Sequence, residues 1–340
     1  MNGRSVVQFV LDRMIWFILI LVILFFTIRV DNYLAPSNLV NILLHASVLG
    51  VLTIGQTICL LSGNFDLSAE GTLSLVTVLA AWLMLPASAG ELAQAGGLGW
   101  ELHPFLVIPL MLLVGAGVGW LNGLMITRLG MNNFIVTLAM QLVLRGLALV
   151  ISMGAIMPGT PRLFNWLGGG RLDLLGVGIP VSVIFTILLF VLAAFILRNT
   201  RFGRTLYAVG GNREAARASG FSPERLVTNA YVLSGLMGGV AGWMLLGKLE
   251  VSVPNLGAGM TLETVAAGVI GGVALTGGVG SIWGAFSGVL LLSVVDNGLN
   301  LMEVDPFWVN GVRGIIILVA LLIEAQKVRL KPHRLRTRTV

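Results

Sequence analysis

Long apolar segments alternate with short polar ones along nearly the whole chain, and this pattern predicts a bundle of membrane-spanning helices. A helix needs about 20 apolar residues to cross roughly 30 Å of hydrocarbon, and about ten segments approach or reach that length. The third and the eighth are short and lie among glycine-rich or polar residues, so we expect broken or half-length helices there. The predicted spans are Met14–Ile28, Leu44–Ser62, Gly71–Leu85, Phe105–Ile126, Phe134–Met153, Val177–Leu197, Leu226–Gly247, Leu262–Thr276, Ser281–Leu299 and Phe307–Ile323.

The composition leads to the same conclusion. Of the 340 residues, 56% are hydrophobic and only 11% are charged, whereas about 25% of the residues in an ordinary soluble domain are charged. The 44 glycines are typical of helices that approach each other closely in lipid. We therefore predict an all-α, polytopic protein embedded in a lipid bilayer. No nucleic-acid partner is expected, because the net charge of +6 comes mostly from loops and the tail at one membrane face.

The distribution of basic residues predicts the orientation of the bundle, because Lys and Arg near span ends resist translocation out of the cytoplasm. With ten spans and the N-terminus inside, 15 of the 21 Lys and Arg residues fall on the cytoplasmic side. These are Arg4 and Arg13, Arg128, six arginines in the loop after the sixth span, and six basic residues in the tail. An odd number of spans would place the basic tail outside. We therefore predict that both termini are cytoplasmic.

A short pattern occurs twice and predicts an internal repeat. Asn122-Gly123-Leu124 is followed by Phe134 and then Arg145-Gly146, and Asn297-Gly298-Leu299 is followed by Phe307 and then Arg313-Gly314. The first copy turns inside and the second outside, as in the inverted repeats of many transporters; chance is the alternative, because the spacings differ. The predicted single transmembrane domain, 1–340, comprises a first helix and external loop (1–38), a first half-repeat (39–153), a linker span and cytoplasmic loop (154–225), a second half-repeat (226–326) and a basic cytoplasmic tail (327–340).

The strongly basic loop at 198–225 contains a short predicted helix with a signal at each end. Asn212 is a good N-cap residue, and Gly220 favours the left-handed conformation that ends many helices. A helix of one or two turns is not stable alone, so we expect it to need a partner groove. The alternative is an ordinary basic loop. The segment consists of Asn212, Arg213, Glu214, Ala215, Ala216, Arg217, Ala218, Ser219 and Gly220.

Polar residues in or beside the spans are candidates for a translocation path, because such groups are costly in lipid and usually face a bundle interior or a water-filled path. The densest group is Gly63–Gly71, where glycines at both ends favour a broken helix. A solvated turn with Asp66 as a helix cap is the alternative. The candidate path residues are Asn64, Asp66, Ser68, Glu70, Gln141, Asn297 and Asn300.

Charged residues within the apolar segments predict intramembrane ion pairs. An arginine at the centre of a span costs about 2.5–3.5 kcal/mol on insertion scales, so it should pair with an acid or with backbone carbonyls. We expect Arg145 to pair with Asp296 or Glu263, and Arg313 is a second partner for Asp296. A contact with substrate is the alternative role for Arg145.

The sequence has no constellation for catalysis or metal binding. Cys59 is the only cysteine, and His45, His103 and His333 do not have the spacing of metal ligands. Gly242–Lys248 resembles a phosphate-binding loop, but leucine follows the lysine where Ser or Thr is required. We therefore predict that the protein is not an enzyme and has no metal or cofactor.

Several motifs spread over nearly the whole chain point to one protein family. They are GNFDLSAEG at 63–71, FIVTL at 134–138 with Arg145-Gly146, TRFGR at 200–204, AVGGN at 208–212, EAARASG at 214–220 and NGLN at 297–300. Together they resemble the permease subunit of bacterial ATP-binding-cassette sugar importers, of the type that takes ribose, xylose, galactosides or autoinducer-2. Each motif is weak alone, and the combination is specific.

The resemblance implies a permease that moves a sugar or similar small hydroxylated solute across the bacterial inner membrane. It also implies three protein partners: a separate ATPase subunit, a periplasmic solute-binding protein, and a second permease subunit, identical or related. Residues 214–220 resemble the coupling helix that docks into a groove on the ATPase. Asn64 and Glu70 stand where the family more often has small residues. The alternative function is a secondary transporter coupled to protons or sodium through Asp66, Glu70 or Asp296.

Overall fold

The computed structural model describes residues 3–86, 97–158, 160–174 and 177–330, and most of its regular structure is helical. Prolines at 36, 104 and 223 stand in the first turn of a helix, where a missing N–H leaves no bond unmade. The helices are α1 (Gly3–Arg29), α2 (Pro36–Leu61), α3 (Ala69–Met84), α4 (Pro104–Thr127), α5 (Asn133–Ser152), α6 (Arg162–Gly169), α7 (Val181–Asn199), α8 (Arg201–Gly211), α9 (Arg213–Ala218), α10 (Pro223–Leu249), α11 (Met260–Ile270), α12 (Ile282–Leu301) and α13 (Pro306–Leu330).

Six helices in the described part of the chain, α2, α4, α5, α7, α10 and α12, are long and apolar enough to cross a membrane. The apolar part of α1 and helices α3 and α11 are shorter. A multi-pass membrane architecture is therefore confirmed, and so are the short third and eighth segments, with 16 residues in α3 and 11 in α11. The count of ten spans and the side of the termini stay predictions. Residues 87–96 and the tail at 331–340 lie outside the described residues.

The expectation of a purely helical chain was too simple, because two small antiparallel sheets flank the bundle. Strand β1 (Met157–Pro158) pairs with β4 (Val251–Ser252), and β2 (Arg171–Leu174) pairs with β3 (Val177–Pro180). The last of these occupies the first four residues of a predicted span, so α7 begins at Val181 instead. Apolar residues of a short strand look like the start of a span when periodicity is read alone.

Helices α3 and α11 are half-length because a non-helical stretch precedes each of them inside the bundle. The chain turns back after α2, and residues 64 and 66–68 are buried before α3 begins. The stretch between α10 and α11 likewise has Ser252 and Pro254 buried. The first turns of the two helices meet, since the Glu70 backbone N–H donates to the Thr261 hydroxyl at 3.2 Å. Two helix N-termini, with N–H groups that need acceptors, therefore lie together inside the protein.

The axes of α4 and α10 approach closely because glycines lie where they touch. A side chain added at Gly119 would collide with the carbonyl of Tyr231, and one added at Gly115 would collide with the carbonyl of Gly235. Small residues at helix contacts allow the backbone-to-backbone packing on which association in lipid depends. Gly117, on the same helix, has open space around it, so only one face of α4 requires glycine.

The glycine-rich segment at the end of α11 packs in the same way. Gly271 lies against the carbonyl of Gly284, and Gly288 lies against the carbonyl of Ala267. Gly272 is not at a contact, but its φ of +88° is a conformation that residues with a Cβ rarely adopt. Within this segment, close helix packing therefore explains Gly271, and a left-handed turn explains Gly272.

The helix contacts recur in two sets. Helices α2 and α10 pack against each other; α2 also packs against α11 and α12, and α10 packs against α3 and α4. Helix α3 contacts α4 and α5, and α11 contacts α12 and α13. When α2, α3, α4 and α5 are matched in order with α10, α11, α12 and α13, the same pairs of helices are in contact in both sets.

The outer helices present large apolar side chains to the surroundings. Leu142 is 64% exposed, Val150 is 75% exposed and Leu188 is 60% exposed. A soluble protein rarely exposes so continuous an apolar surface. Hydrocarbon is the environment in which this surface is stable.

Candidate translocation and coupling sites

Helix α9 has the two end signals that its sequence predicts. The Asn212 side chain accepts a hydrogen bond from the Ala215 N–H at 2.9 Å, and Gly220 has a φ of +84° after the last turn. The Phe221 N–H then donates to the Ala216 carbonyl at 3.1 Å. Ala216 is buried, and every other residue from 212 to 220 is exposed. The helix is thus held at its ends and by one methyl group, and its remaining surface is free for a partner.

Helix α8, which the sequence did not predict, connects α9 to turns deeper in the bundle. Gly210 lies against the Leu61 carbonyl at the end of α2, and the same carbonyl accepts the Gly278 N–H at 2.9 Å. The Tyr207 hydroxyl donates to the Gly280 carbonyl at 3.1 Å, and burial raises the pKa of that hydroxyl. A displacement of α8 and α9 would therefore reach both the turn before α3 and the turn after α11.

An ion pair closes the turn between α9 and α10. The Arg217 guanidinium contacts the Glu224 carboxylate in the first turn of α10. The two side chains are 61% and 37% exposed, and a pair so accessible to water contributes about 0–1 kcal/mol to stability. It orients the turn, and both partners stay accessible from outside.

A buried polar cluster fills the turn between α2 and α3. The Asp66 carboxylate, which is 0% exposed, accepts the Ser68 N–H at 2.9 Å and the Ser68 hydroxyl at 2.6 Å. The Asn122 amide of α4 donates to the Ser68 oxygen at 2.8 Å. Asn64 is also buried and donates to Ser62. Asn64, Asp66 and Ser68 therefore bond within their own turn and to α4 and α5, where the Asn133 amide donates to Asn64 at 3.4 Å. The turn is buried and not solvated, and the place of these residues on a translocation path stays a prediction.

Glu70 lies one turn further on and has a different environment. One carboxylate oxygen accepts the Gly259 N–H at 2.9 Å and the Thr261 N–H at 3.3 Å. The other oxygen accepts the amide N–H of Gln141 on α5. Helix α11 has glycine at its N-cap and no side-chain cap of its own. Glu70 therefore caps α11 from another helix and joins α3, α5 and α11.

The carboxylate also lines a small recess that is partly open to the outside. Arg145 reaches this recess, and its Nε donates to the Asn255 side-chain oxygen at 2.8 Å. The lining residues are Glu70, Gly71, Ser74, Gln141, Arg145, Pro254, Asn255, Leu256 and Ala258. Two of the predicted path residues and one predicted ion-pair residue thus meet at one place.

The predicted ion pairs need one correction. Arg313 contacts both acids, with 2.8 Å to Glu263 and 2.8 Å to Asp296. Arg145 forms no ion pair with an acid among the described residues, and Asn255 is its partner. The acids lie on α11 and α12 beside α13, so the expected pairing of Arg145 with either acid is wrong.

The two remaining path residues lie away from the recess. Asn297 and Asn38 exchange two amide hydrogen bonds, at 2.9 Å and 3.1 Å, which tie α12 to the first turns of α2. Asn300 is exposed near the end of α12. Neither residue lines the recess.

Sequence reasoning missed Asn255, and it noted Asn122 only as part of a repeated pattern. Asn255 lies in the short stretch after α10, where a polar residue has the look of an ordinary loop. The useful signal was its neighbourhood, a Pro and two nearby glycines before an eleven-residue apolar helix, since interrupted helices mark transporter sites. Among the described residues, no group of His, Cys, Asp and Glu side chains is arranged to hold a metal ion.

Comparison with known proteins places this arrangement in a family. Residues 38–321 match the family described as the permease component of the branched-chain amino acid transport system. No solved structure matches the chain.

Curated relatives cover nearly the whole chain. The ribose import permease protein RbsC of Bacillus subtilis is 36% identical over 92% of this chain and 91% of its own length. The L-arabinose ABC transporter permease protein AraH of Azospirillum brasilense is 36% identical over 90% of this chain and 86% of its own. The xylose transport system permease protein XylH of Escherichia coli K12 is 30% identical over 90% of both chains.

Proposed function

The chain belongs to this permease family, and on that basis we propose that it is the membrane-spanning subunit of an ATP-binding-cassette importer in the bacterial inner membrane. Its solute is a sugar, of pentose size or similar, as in the relatives named for ribose, L-arabinose and xylose. The family's description names amino acids. We propose a sugar instead, because the relatives named for sugars align over about nine-tenths of this chain. It has no catalytic function of its own, and a separate ATPase subunit supplies the energy.

The observation that carries the proposal is the exposed helix α9. A six-residue helix held by its end caps, one exposed ion pair and the buried Ala216 has few contacts of its own, and isolated helices of this length are unstable in water. Docking into a groove of the ATPase would supply the missing contacts. Asn212–Gly220 would then form the coupling segment, with Glu214 and Arg217 exposed for recognition.

The mechanism follows from the connections of α8. When the ATPase subunits close on ATP, α9 moves with them, and α8 transmits the movement to the turns at Leu61 and Gly278. These turns adjoin the half-helices α3 and α11, whose N-termini meet beside the recess. Such movement of packed elements between two states is alternating access driven by a partner.

We propose that the recess is part of the translocation path and faces a second permease subunit. Arg145 and Gln141 are partly exposed at the middle of α5, and polar groups at that depth are expensive against lipid. A second copy or a related permease would cover this surface and enclose the path. A periplasmic solute-binding protein would deliver the sugar to it.

The two sets of helix contacts favour an inverted repeat. Helices α2–α5, at 36–152, nearly coincide with the proposed first half, 39–153, and α10–α13, at 223–330, nearly coincide with the second, 226–326. Asn122 and Asn297 then occupy related helices, α4 and α12. Ten spans and two cytoplasmic termini complete this topology.

A binding experiment tests the coupling segment. The variant Glu214→Arg with Gly220→Pro should lose capture of the ATPase from detergent-solubilised membranes, because it reverses an exposed charge and removes the left-handed residue that ends α9. Glu101→Arg reverses an exposed charge in the stretch before α4 and should retain capture. Undiminished capture and uptake by the double variant would count against the proposal.

The alternative of an ion-coupled secondary transporter has one observation in its favour. The Asp66 carboxylate is fully buried, and no Lys, Arg or His of the described residues forms an ion pair with it. The exposed α9 has no role in such a mechanism, however. Dependence of uptake on ATP or on an ion gradient separates the two functions.

A further inference from the structure

The N-terminus of α11 is a place where an anion binds, and the protein itself supplies the anion. Helix N-termini attract negative charge because their first N–H groups have no intrahelical partner and the helix dipole is positive there. Gly259 at the N-cap offers no side chain. The Glu70 carboxylate takes this position instead, with bonds from the N–H groups of Gly259 and Thr261.

The side chains that line the recess include one negative and one positive charge. Glu70 and Arg145 are the only charged residues among those that line it, and they have opposite sign. Glu70 is 8% exposed, with both oxygens occupied by N–H donors, so it offers little to a solute. The groups left at the surface are the remaining guanidinium N–H donors of Arg145 and the side-chain amides of Gln141 and Asn255. Hydrogen-bond donors and acceptors of this kind match sugar hydroxyls.

We propose that Glu70 is a specificity-determining residue: its carboxylate occupies the anion-binding end of α11, so that the recess accepts uncharged hydroxylated solutes and rejects those that carry a carboxylate. The proposal rests on the proposed function, in that the recess is part of the path. A solute carboxylate would have to displace Glu70 from Gly259 and Thr261 and would be repelled by it. Half-helix N-termini bind anionic substrate groups in other transporters, and here that position is already filled.

Replacing the carboxylate with a small side chain should open the position to an added anion. The test uses the purified full-length permease in lipid nanodiscs, and the readout is the midpoint of thermal unfolding. Glu70→Ala should be stabilised by acetate, and by D-gluconate, relative to the uncharged partners acetamide and D-glucitol at equal ionic strength. A ligand that binds only the folded state raises the midpoint, and we expect a rise of roughly 2–4 °C.

Wild type should show no difference between the members of either pair. Glu250→Ala, which removes an exposed carboxylate at the end of α10, should behave as wild type. Glu70→Ser is a second variant, since serine is favoured near the start of α3, and it should show the same carboxylate-specific rise. If either variant folds only when acetate is present during purification, that result also supports the proposal.

Two results would overturn the proposal. One is a carboxylate-specific rise in wild type, which would mean that Glu70 does not exclude anions. The other is no carboxylate-specific effect in either variant, including failure of both to fold with acetate supplied. Neither readout involves the ATPase or uptake, so a failure here is distinguishable from failure of the proposed function, which the capture of the ATPase by α9 tests separately.

Discussion

Single polar residues inside the bundle have partners that are distant in sequence, and this sets the limit of what the sequence predicts. The types are predictable, because a carboxylate or guanidinium within an apolar segment must be compensated. The partners are not predictable, since Glu70 of α3 binds Thr261 of α11 and Arg145 of α5 binds Asn255 in the stretch between α10 and α11. The sequence offered Glu263 and Asp296 as partners for Arg145. In the structure both acids lie beside α13 and pair with Arg313. Short-range bonds, such as Ser68 to Asp66, were within reach of sequence reasoning.

Ser68→Ala tests the buried cluster at the turn before α3. The change removes a hydroxyl that donates to Asp66 and accepts from Asn122, so two buried groups lose a partner. Asp66 keeps the backbone N–H of residue 68, whereas an unsatisfied Asn122 amide costs about 1–3 kcal/mol, so we expect a clearly lower midpoint of thermal unfolding in detergent. Ser37→Ala, at an exposed position in the first turn of α2, is the control and should change little. Equal midpoints for the two variants would show that the cluster does not stabilise the fold.

Arg313→Gln tests the ion triad of α11, α12 and α13. Glu263 and Asp296 would remain buried without a cation, and breaking a buried pair costs about 3–5 kcal/mol. Arg217→Gln makes the same change at the exposed pair with Glu224, where about 0–1 kcal/mol is expected. The measurement is the unfolding midpoint of both variants beside wild type. A loss for Arg313→Gln no larger than that for Arg217→Gln would contradict the assignment.

Whole elements were predicted well where they depend on local sequence and poorly where they depend on contacts. The apolar segments and the capped α9 follow from residue patterns within one element. Helix α8 did not, because its eleven residues include three glycines and a basic surface, and it is stabilised by burying Leu206 and Val209 against α2 and the turn near Gly278. The β-strands were missed for a similar reason, since two- and four-residue strands form only through pairing.

Gly119→Leu tests the close contact of α4 with α10. A leucine there would collide with the Tyr231 backbone, which cannot move aside as a side chain can, so we expect little folded protein by size-exclusion chromatography. Gly117→Leu makes the same change two residues away, where the surroundings are open. It should be tolerated or slightly stabilising, because leucine favours a helix over glycine by roughly 0.5–1 kcal/mol. Similar yields of both variants would refute the proposed packing requirement.

At the scale of the whole molecule, cysteine labelling can test the membrane topology, because the single native cysteine is not accessible to a labelling reagent. Cys59 is 0% exposed, so a membrane-impermeant maleimide should not label wild type. Ala218→Cys in α9 should be labelled only in inside-out vesicles, and Leu172→Cys in β2, which is 44% exposed in wild type, only in right-side-out vesicles. Labelling of both from the same side would contradict the proposed orientation.

The source of energy for uptake is the most direct test of the whole account. The permease would be reconstituted into liposomes with its ATPase and solute-binding protein, and entry of radiolabelled ribose, L-arabinose and xylose would be measured. We predict that uptake of at least one sugar requires ATP on the ATPase side, survives collapse of ion gradients by ionophores, and is lost in the Glu214→Arg, Gly220→Pro variant. Uptake by the permease alone, driven by a proton or sodium gradient without ATP, would contradict the account.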